Sequence, residues 1–151
     1  MRNEMKMEFD AVSANEGFAR VAAAAFMTPL DPTLEEVSDV KTAVSEAVTN
    51  AVIHAYRDWP EEKEHKIWLS CLLEGDVLHI EIRDKGRGIA DVEQVMEPLF
   101  TTRPDQDRSG MGFAFMEAFM DDLEVESVLG QGTAVRMKKK LGTLPFVEDG
   151  E

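Results

Sequence analysis

Apolar residues recur along the first third of the chain with periods that predict one strand followed by two helices. Residues 5–9 alternate between apolar and charged side chains, which is typical of a half-buried strand. Ser13 with Glu16 matches a capping box, so a helix is expected to begin there. Five apolar residues of this helix are expected to share its buried face: Phe18, Val21, Ala22, Ala25 and Phe26.

A second, longer helix is predicted after the prolines at positions 29 and 32. Thr33 with Glu36 forms another capping-box pattern, and apolar residues recur at helical spacing from Leu34 onward. This stripe continues to about Tyr56, and the charged segment 57–66 then predicts a loop.

The remaining pattern predicts four strands, two more helices and an irregular loop. Residues 67–73 and 77–83 read as a hairpin, and 123–128 and 133–139 as a second strand pair. A short helix is expected over 91–96, a loop over 98–109 and an apolar helix over 113–120. This order predicts an α+β fold, a two-layer sandwich whose mixed, mostly antiparallel sheet carries helices on one face.

Composition bounds the class of protein. With 151 residues and 44% hydrophobic content, one core is enough, so we expect a single domain over 1–140 and an acidic flexible tail over 141–151. A net charge of -14 has the wrong sign for direct nucleic-acid or anionic-membrane binding. The lone Cys71 excludes an internal disulfide, and no run approaches the roughly 20 apolar residues of a membrane span. A cytoplasmic location is expected.

Three polar residues spaced four apart, Glu46, Asn50 and His54, interrupt an otherwise apolar helix. An α-helix turns about 100° per residue, so their side chains form a polar ladder on one face, each about 6 Å above the last. A carboxylate buried in apolar surroundings without partners lowers stability by an amount on the order of several kcal/mol. A ligand or a cleft would remove that cost. The ladder therefore predicts a functional site, with a solvated polar stripe as the alternative.

Two glycine-rich segments could approach a ligand closely. The segment Asp84-Lys85-Gly86-Arg87-Gly88 directly follows a predicted strand, where an aspartate can accept a hydrogen bond from an amino group. Residues 110–112 have the pattern Gly-Met-Gly at the expected start of a helix, where free N–H groups favour an anion. Each pattern alone is weak evidence, because a plain turn with a solvated aspartate accounts for the first and a flexible hinge for the second.

In combination these motifs resemble the GHKL superfamily of ATP-binding domains. The polar ladder, the Asp84 segment, the loop, the 110–112 glycines and Gly132-Thr133 occur in the order typical of that superfamily. The stretches 45–51, 98–104 and 108–113 are similar to the anti-sigma serine kinases within it, over about residues 1–140. This resemblance implies the Bergerat type of sandwich. Ala55 departs from it, because the family usually has glycine there.

The resemblance also implies residue roles. ATP or ADP with Mg²⁺ would be the cofactor, Asn50 would ligate Mg²⁺, and Glu46 would act as general base. Asp84 would read the adenine, supported by Thr133, and Gly86 and Gly88 would form the wall beside it. The phosphates would be bound by a lid loop and by the glycines that follow it. The residues implied are Thr101, Thr102, Arg108, Ser109, Gly110, Met111 and Gly112. Arg103 is the alternative to Arg108 as the positive charge beside the phosphates.

The partners implied by the resemblance are proteins. A homodimer would sequester a sporulation sigma factor and phosphorylate an anti-anti-sigma protein on serine. Arg20 and Glu16 on the first helix are suggested as partner contacts, with a solvated ion pair as the alternative. Two other functions remain open: a histidine-kinase-type ATP domain and a nucleotide-gated binding module without serine kinase activity. His54 is expected to be structural.

Overall fold

Five strands form one antiparallel sheet within residues 1–60, 64–96 and 112–142, which are the residues that the computed structural model describes. The strands are β1 Arg2–Asp10, β2 Lys66–Glu74, β3 Val77–Asp84, β4 Asp122–Val128 and β5 Gly132–Lys140, in the order β1-β2-β3-β5-β4. All four pairings in this sheet are antiparallel, which makes the sheet more uniform than the mixed one expected from the sequence.

The helices follow the predicted order. They are α1 Ala14–Phe26, α2 Leu34–Asn50, α3 Val92–Val95 and α4 Gly112–Phe119, with a 3-10 turn at Thr28–Leu30 and a π turn at Ala51–Ala55. None of the helices in the described ranges is both long and apolar enough to cross a bilayer. The loop predicted over 98–109 and most of the tail predicted over 141–151 lie outside the described residues, and the single-domain expectation stays a prediction.

Buried and partly exposed side chains alternate along the central strands β2 and β3, so one face of the sheet lies in the core. In β2, every second residue from Ile67 to Leu73 is buried, and β3 continues the pattern from Leu78 to Ile82. Cys71 is one of these inward residues, as predicted, and burial raises the pKa of its thiol to about 12. On the opposite face, charged side chains pair across strands, and Arg136 contacts three carboxylates: Glu81, Glu124 and Glu126.

Helix α2 covers the inward face of the sheet and contacts both α1 and α4. Its buried residues are nearly all apolar: Val40, Ala43, Val44, Ala47 and Val48, with Glu36 the exception. Full burial of such side chains contributes about 1.5–3 kcal/mol for each large one. These apolar contacts therefore fix the end of α2 against the sheet, next to the strand end that carries Asp84.

Helix α1 turns a different face to the core from the one predicted. Ala19, Ala23 and the following Met27 are fully buried, whereas Phe18 is 55% and Val21 57% exposed. The prediction was wrong because residues 21–26 are apolar at every position, so periodicity could not select the buried face of α1. Small alanines at the contact let two helix backbones approach closely, and the bulkier side chains are left outside.

The two predicted capping boxes have opposite outcomes. Thr33 accepts a hydrogen bond from the Glu36 N–H at 3.0 Å, and the Glu36 carboxylate accepts from the Thr33 N–H at 2.8 Å. The same carboxylate also accepts from the Gly142 N–H at 3.0 Å, which ties the end of β5 to the start of α2. Ser13 precedes α1 with helical dihedral angles and its side chain makes no cap hydrogen bond.

We expect Thr33→Ala to lower the free energy of unfolding by about 1 kcal/mol, because it removes an N-cap acceptor from α2. Ser13→Ala is the matched control and should change it by less than about 0.5 kcal/mol, since Ser13 caps nothing. Urea denaturation of both variants measures the difference. Equal effects at the two positions would contradict the assignment of the caps.

Candidate functional site

The polar ladder lies beside a cavity of about 300 Å³ between α2 and the sheet. Asn50 ends α2 and lines this cavity, as does His54 in the following π turn. Glu46 lies one turn before Asn50 and is half-buried, but it is not among the residues that line the cavity. Single π turns inside helices are frequent at functional sites, and this one changes the direction of His54 relative to a regular α-helix.

Two carboxylates, Asp84 and Asp91, line the cavity, and Asp84 is the buried one. It ends β3, is only 7% exposed, and lies opposite Thr133 in the register with β5. Its Oδ1 accepts a hydrogen bond from the Gly86 N–H at 2.9 Å. Burial raises the pKa of the Asp84 carboxyl to about 6, although hydrogen bonds from Gly86 and Thr133 and the charge of Arg83 oppose the shift.

The Asp84 corner, residues 84–88, packs against neighbouring backbone without space for side chains at its glycines. A Cβ on Gly86 would lie 2.0 Å from the carbonyl oxygen of Ala55. Gly88 has φ +75°, a region that glycine adopts without strain, and it approaches the carbonyl of Val128. Both glycines of the predicted motif are therefore required by the backbone path, which brings the corner against the end of the helix.

A hydroxyl pair on β4 and β5 lies beside the Asp84 corner. Ser127 and Thr133 lie opposite each other on β4 and β5, with their hydroxyl oxygens 2.8 Å apart. Ser127 also accepts from the Ile89 N–H at 2.7 Å, so it joins the sheet to the segment after the corner. Sequence reasoning missed Ser127. A polar residue at an inward position of β4, where Leu123 and Val125 are apolar, was the signal that could have found it.

The start of α4 meets the end of α2. A Cβ on Gly112 would lie 2.8 Å from the Asn50 side-chain nitrogen, so the second glycine motif and the ladder are in contact as the resemblance implied. Seven further residues proposed for the phosphates or the lid lie outside the described residues: Thr101, Thr102, Arg103, Arg108, Ser109, Gly110 and Met111. Their roles stay predictions.

The cavity combines apolar walls with basic groups. Ala47, Ala51, Ile82, Ile89 and Phe113 contribute apolar lining, and Arg57, Arg87 and His54 contribute nitrogen atoms. The Nη1 atom of Arg87 is buried and makes no hydrogen bond within the described residues. A flat apolar ring with an amino group would fit between these walls and Asp84, and an anionic group would find donors nearby. Arg87 and Arg57 were not predicted from sequence.

A metal site made by protein groups alone is not present in the described part of the chain. His, Cys, Asp and Glu side chains form no cluster of three or more there that could hold an ion. Asn50 offers a single hard amide oxygen, which suits Mg²⁺ only where waters and the oxygens of a ligand supply the other positions. The donor set therefore fits an ion that arrives with an anionic ligand.

The predicted partner residues lie away from the cavity, on α1. Arg20 and Glu16 form an ion pair at 3.7 Å, four residues apart on the helix. Beside them, the apolar side chains of Phe18, Val21 and Ala25 form an exposed strip, which we call the α1 strip. An exposed apolar strip next to a charged pair is the chemistry of a protein-binding surface.

Comparison with known proteins gives one consistent result. A family model described as "Histidine kinase-like ATPase domain" matches residues 9–139. An anti-sigma F factor from Clostridium botulinum is 58% identical over 94% of this chain and 97% of its own length. One from Bacillus subtilis is 52% identical over 93% and 94% respectively.

A solved structure supports the fold. The structure of the RsbU and RsbW domains of a Mycobacterium tuberculosis protein superposes with a TM-score of 0.68 and 20% identity. The match covers 97% of this chain and 35% of that one. At this identity the likeness establishes the fold alone, and it agrees with the α+β sandwich predicted from the sequence.

Burial of Asp84 predicts a specific pH dependence of stability. The pKa of its carboxyl is raised from 3.8 to about 6, so the folded protein binds this proton more tightly than the unfolded chain does. The free energy of unfolding therefore falls as the pH rises from the unfolded pKa of 3.8 through the folded pKa of about 6. In Asp84→Asn this loss is absent. The difference in unfolding free energy, variant minus parent, should rise by about 1–3 kcal/mol between about pH 4 and about pH 7.5.

Denaturation at several pH values measures this difference. Asp76→Asn is the matched control, because Asp76 is an exposed carboxyl in the turn between β2 and β3. A difference that stays constant with pH, or that changes equally in the control, would show that Asp84 carries no destabilising buried charge.

Proposed function

The chain belongs to the histidine kinase-like ATPase family and, within it, to the anti-sigma F factors, and from this membership we propose a double function. The protein inhibits a sporulation sigma factor by binding it as a homodimer. It also acts as an ATP-dependent protein serine kinase on the anti-anti-sigma antagonist. The family implies nucleotide binding. The observation that carries the proposal is the meeting of Asp84, Asn50 and Gly112 around one cavity.

The cavity supports adenine binding at its deep end. Asp84 would accept a hydrogen bond from the exocyclic amino group, and Thr133 lies directly opposite it across β3 and β5. The walls formed by Ala51, Ile82 and Ile89 would contact the two faces of the base. Because Asp84 is buried without an ion-pair partner among the described residues, a ligand amino group would relieve part of its desolvation cost.

The phosphates would lie toward α4. Gly112 opens this helix next to Asn50, and a helix start attracts anions through its free N–H groups and its dipole. Asn50 would hold Mg²⁺ through its amide oxygen, with phosphate oxygens and water completing the shell. The bound ion would neutralise charge that develops on the phosphates during transfer.

Glu46 would act as the general base in this scheme. The hydroxyl oxygen of a substrate serine forms a bond to the γ-phosphorus, while the bond from that phosphorus to the bridging oxygen of ADP breaks. The serine proton passes to the carboxylate of Glu46, a residue that lies one helical turn before Asn50 on α2.

A nucleotide-gated binding module is the alternative that one observation favours. Glu46 does not line the cavity, whereas Asn50 and His54 do. In that alternative, ATP or ADP would set the affinity for a partner and no phosphate would be transferred. A histidine-kinase-type domain is the other candidate within the same family, and it would transfer phosphate to a histidine of another segment or protein.

The α1 surface supports the partner-binding half of the proposal. Phe18 and Val21 expose more than half of their surface, and Arg20 and Glu16 flank them. Docking of a partner would bury the α1 strip and give apolar contact energy, while the ion pair would favour a partner with complementary charge. Nucleotide state would choose between the sigma factor and the antagonist.

We expect Glu46→Gln to lower the rate of phosphate transfer to the anti-anti-sigma protein by about 100-fold or more, because a neutral amide cannot take the serine proton. Binding of Mg-ATP should stay within a few fold, since Glu46 does not line the cavity. Transfer from γ-labelled ATP, measured at saturating nucleotide, reports the rate, and a fluorescent ATP analogue reports the affinity. An alkali-labile, acid-stable product identifies phosphoserine.

Asn50→Ala is the counterpart variant and should weaken Mg-ATP binding about tenfold or more. The two variants therefore separate base from metal ligand. Transfer by Glu46→Gln at the parental rate would remove Glu46 from the base role. An acid-labile product would favour the histidine-kinase-type function, and no transfer by the parent protein would favour the binding module.

Replacement of the α1 strip should weaken binding of a sporulation sigma factor. We expect the double variant Phe18→Ser, Val21→Ser to raise the dissociation constant about tenfold or more, because both side chains are exposed and would lie at the centre of the contact. Leu34→Ser is the matched control, since Leu34 is 90% exposed at the start of α2. Calorimetry measures both affinities, and equal affinities for parent and double variant would exclude the α1 strip as the docking surface.

A further inference from the structure

Tyr56 lies where the end of α2 meets the end of the hairpin. It directly follows the π turn and is 7% exposed. Its hydroxyl donates a hydrogen bond to the Lys66 carbonyl and accepts one from the Lys85 N–H at 3.0 Å. The first bond reaches the beginning of β2 and the second reaches the residue after Asp84, so one hydroxyl joins three elements of the chain.

The register of the hairpin shows what this hydroxyl replaces. The last pair of β2 and β3 is Ile67 opposite Asp84, and the next step would place Lys66 opposite Lys85. Those two residues do not pair with each other in the sheet. The Lys66 carbonyl and the Lys85 N–H bond instead to the Tyr56 oxygen between them. The hydroxyl therefore ends the strand pairing immediately after Asp84 and lets the chain turn toward the helix.

A second contact holds the far side of the same turn. The Arg87 N–H donates to the Ala55 carbonyl at 2.7 Å, so two consecutive residues of the helix end bind the backbone on both sides of Gly86. The Gly86 N–H in turn donates to the Asp84 carboxylate at 2.9 Å. The direction of the carboxylate therefore depends on a backbone turn whose first residue is held by the Tyr56 hydroxyl.

The aromatic ring of Tyr56 is fixed in place by its neighbours. It stacks on His65 with a centroid separation of 4.9 Å and an interplanar angle of 7°. Trp59 packs against it edge to face at 6.1 Å. With the ring held on two sides, the hydroxyl has one position available to it, so its two hydrogen bonds define the spacing between Lys66 and Lys85.

We propose that Tyr56 is a positioning residue for nucleotide recognition, which places the Asp84 carboxylate for the exocyclic amino group of adenine through the turn at residues 85–87. This inference rests on the proposed function, because it takes Asp84 as the group that reads the base. Tyr56 does not contact the ligand itself, and it is not among the residues that line the cavity. Its contribution would be selectivity for a purine with an amino group.

The test uses Tyr56→Phe, which keeps the ring and removes only the hydroxyl. Dissociation constants are measured for ATP and for purine riboside triphosphate, which lacks the amino group. The parent protein should prefer ATP. In the variant this preference should fall about 2- to 12-fold, the size expected for one hydrogen bond, while affinity for purine riboside triphosphate stays nearly unchanged. His65→Phe is the matched control, because it keeps a stacked ring and the Tyr56 hydroxyl and should keep the preference.

A second measurement needs no nucleotide. Amide hydrogen exchange of the free protein should accelerate at Lys85 and Gly86 in Tyr56→Phe and stay unchanged at Gly75, in the turn at the other end of the hairpin. Equal weakening of both triphosphates, or unchanged exchange at Lys85 and Gly86, would overturn the positioning role. A parent protein without preference for ATP would instead overturn the assignment of Asp84 to adenine, and the exchange data would show separately whether Tyr56 holds the turn.

Discussion

A carboxylate buried at the end of a central strand sets the conditions for the rest of the site. Asp84 is almost completely shielded from water, and its pKa is raised to about 6, so near neutral pH the fold carries a charge that it would be more stable without. Two backbone N–H groups partly compensate it, from Gly86 and Thr133. For the Gly86 bond the backbone turns back on the side chain within two residues, and the Ala55 carbonyl lies so close to this turn that position 86 has no room for a Cβ.

Close packing against the end of α2 occurs at two glycines. Gly86 lies so close to the Ala55 carbonyl that a Cβ is excluded, and Gly112 at the start of α4 lies against the Asn50 side chain, so two segments approach the end of α2 closely. The helix continues between these two contacts as a π turn over Ala51–Ala55. A wide turn, a buried charge and two crowded glycines each weaken the fold locally, and the apolar contacts of α2 with the sheet and with α1 and α4 offset these costs.

Sequence reasoning succeeded where one physical rule decided the outcome. Strands β2 and β3 were predictable because one face is buried and alternation has only two phases. Helix α1 was placed in the chain correctly but its buried face was predicted wrongly, because residues 21–26 are apolar at every position and the small alanines form the core contact. Ser127 was missed although its inward position in β4 is a local signal, whereas Tyr56 was missed because its partner at the corner is distant in the chain. Tyr56 reaches Lys85, 29 residues away, and no local pattern encodes that distance.

Because the chain is strongly acidic, the basic side chains at the cavity are important for binding an anionic ligand. With a net charge of -14, the average field of this protein repels an anionic ligand, so any attraction must come from groups close to the bound phosphates or base. Arg57, Arg87 and His54 gather at the cavity, and one nitrogen of Arg87 is buried without a hydrogen bond in the described residues. A donor held in that state costs stability in the free protein and gains it back when a ligand oxygen, nitrogen or ring face meets it. The cavity thus combines a buried carboxylate with a buried guanidinium nitrogen, and a nucleotide offers an amino donor to the first and phosphate or ring acceptors to the second.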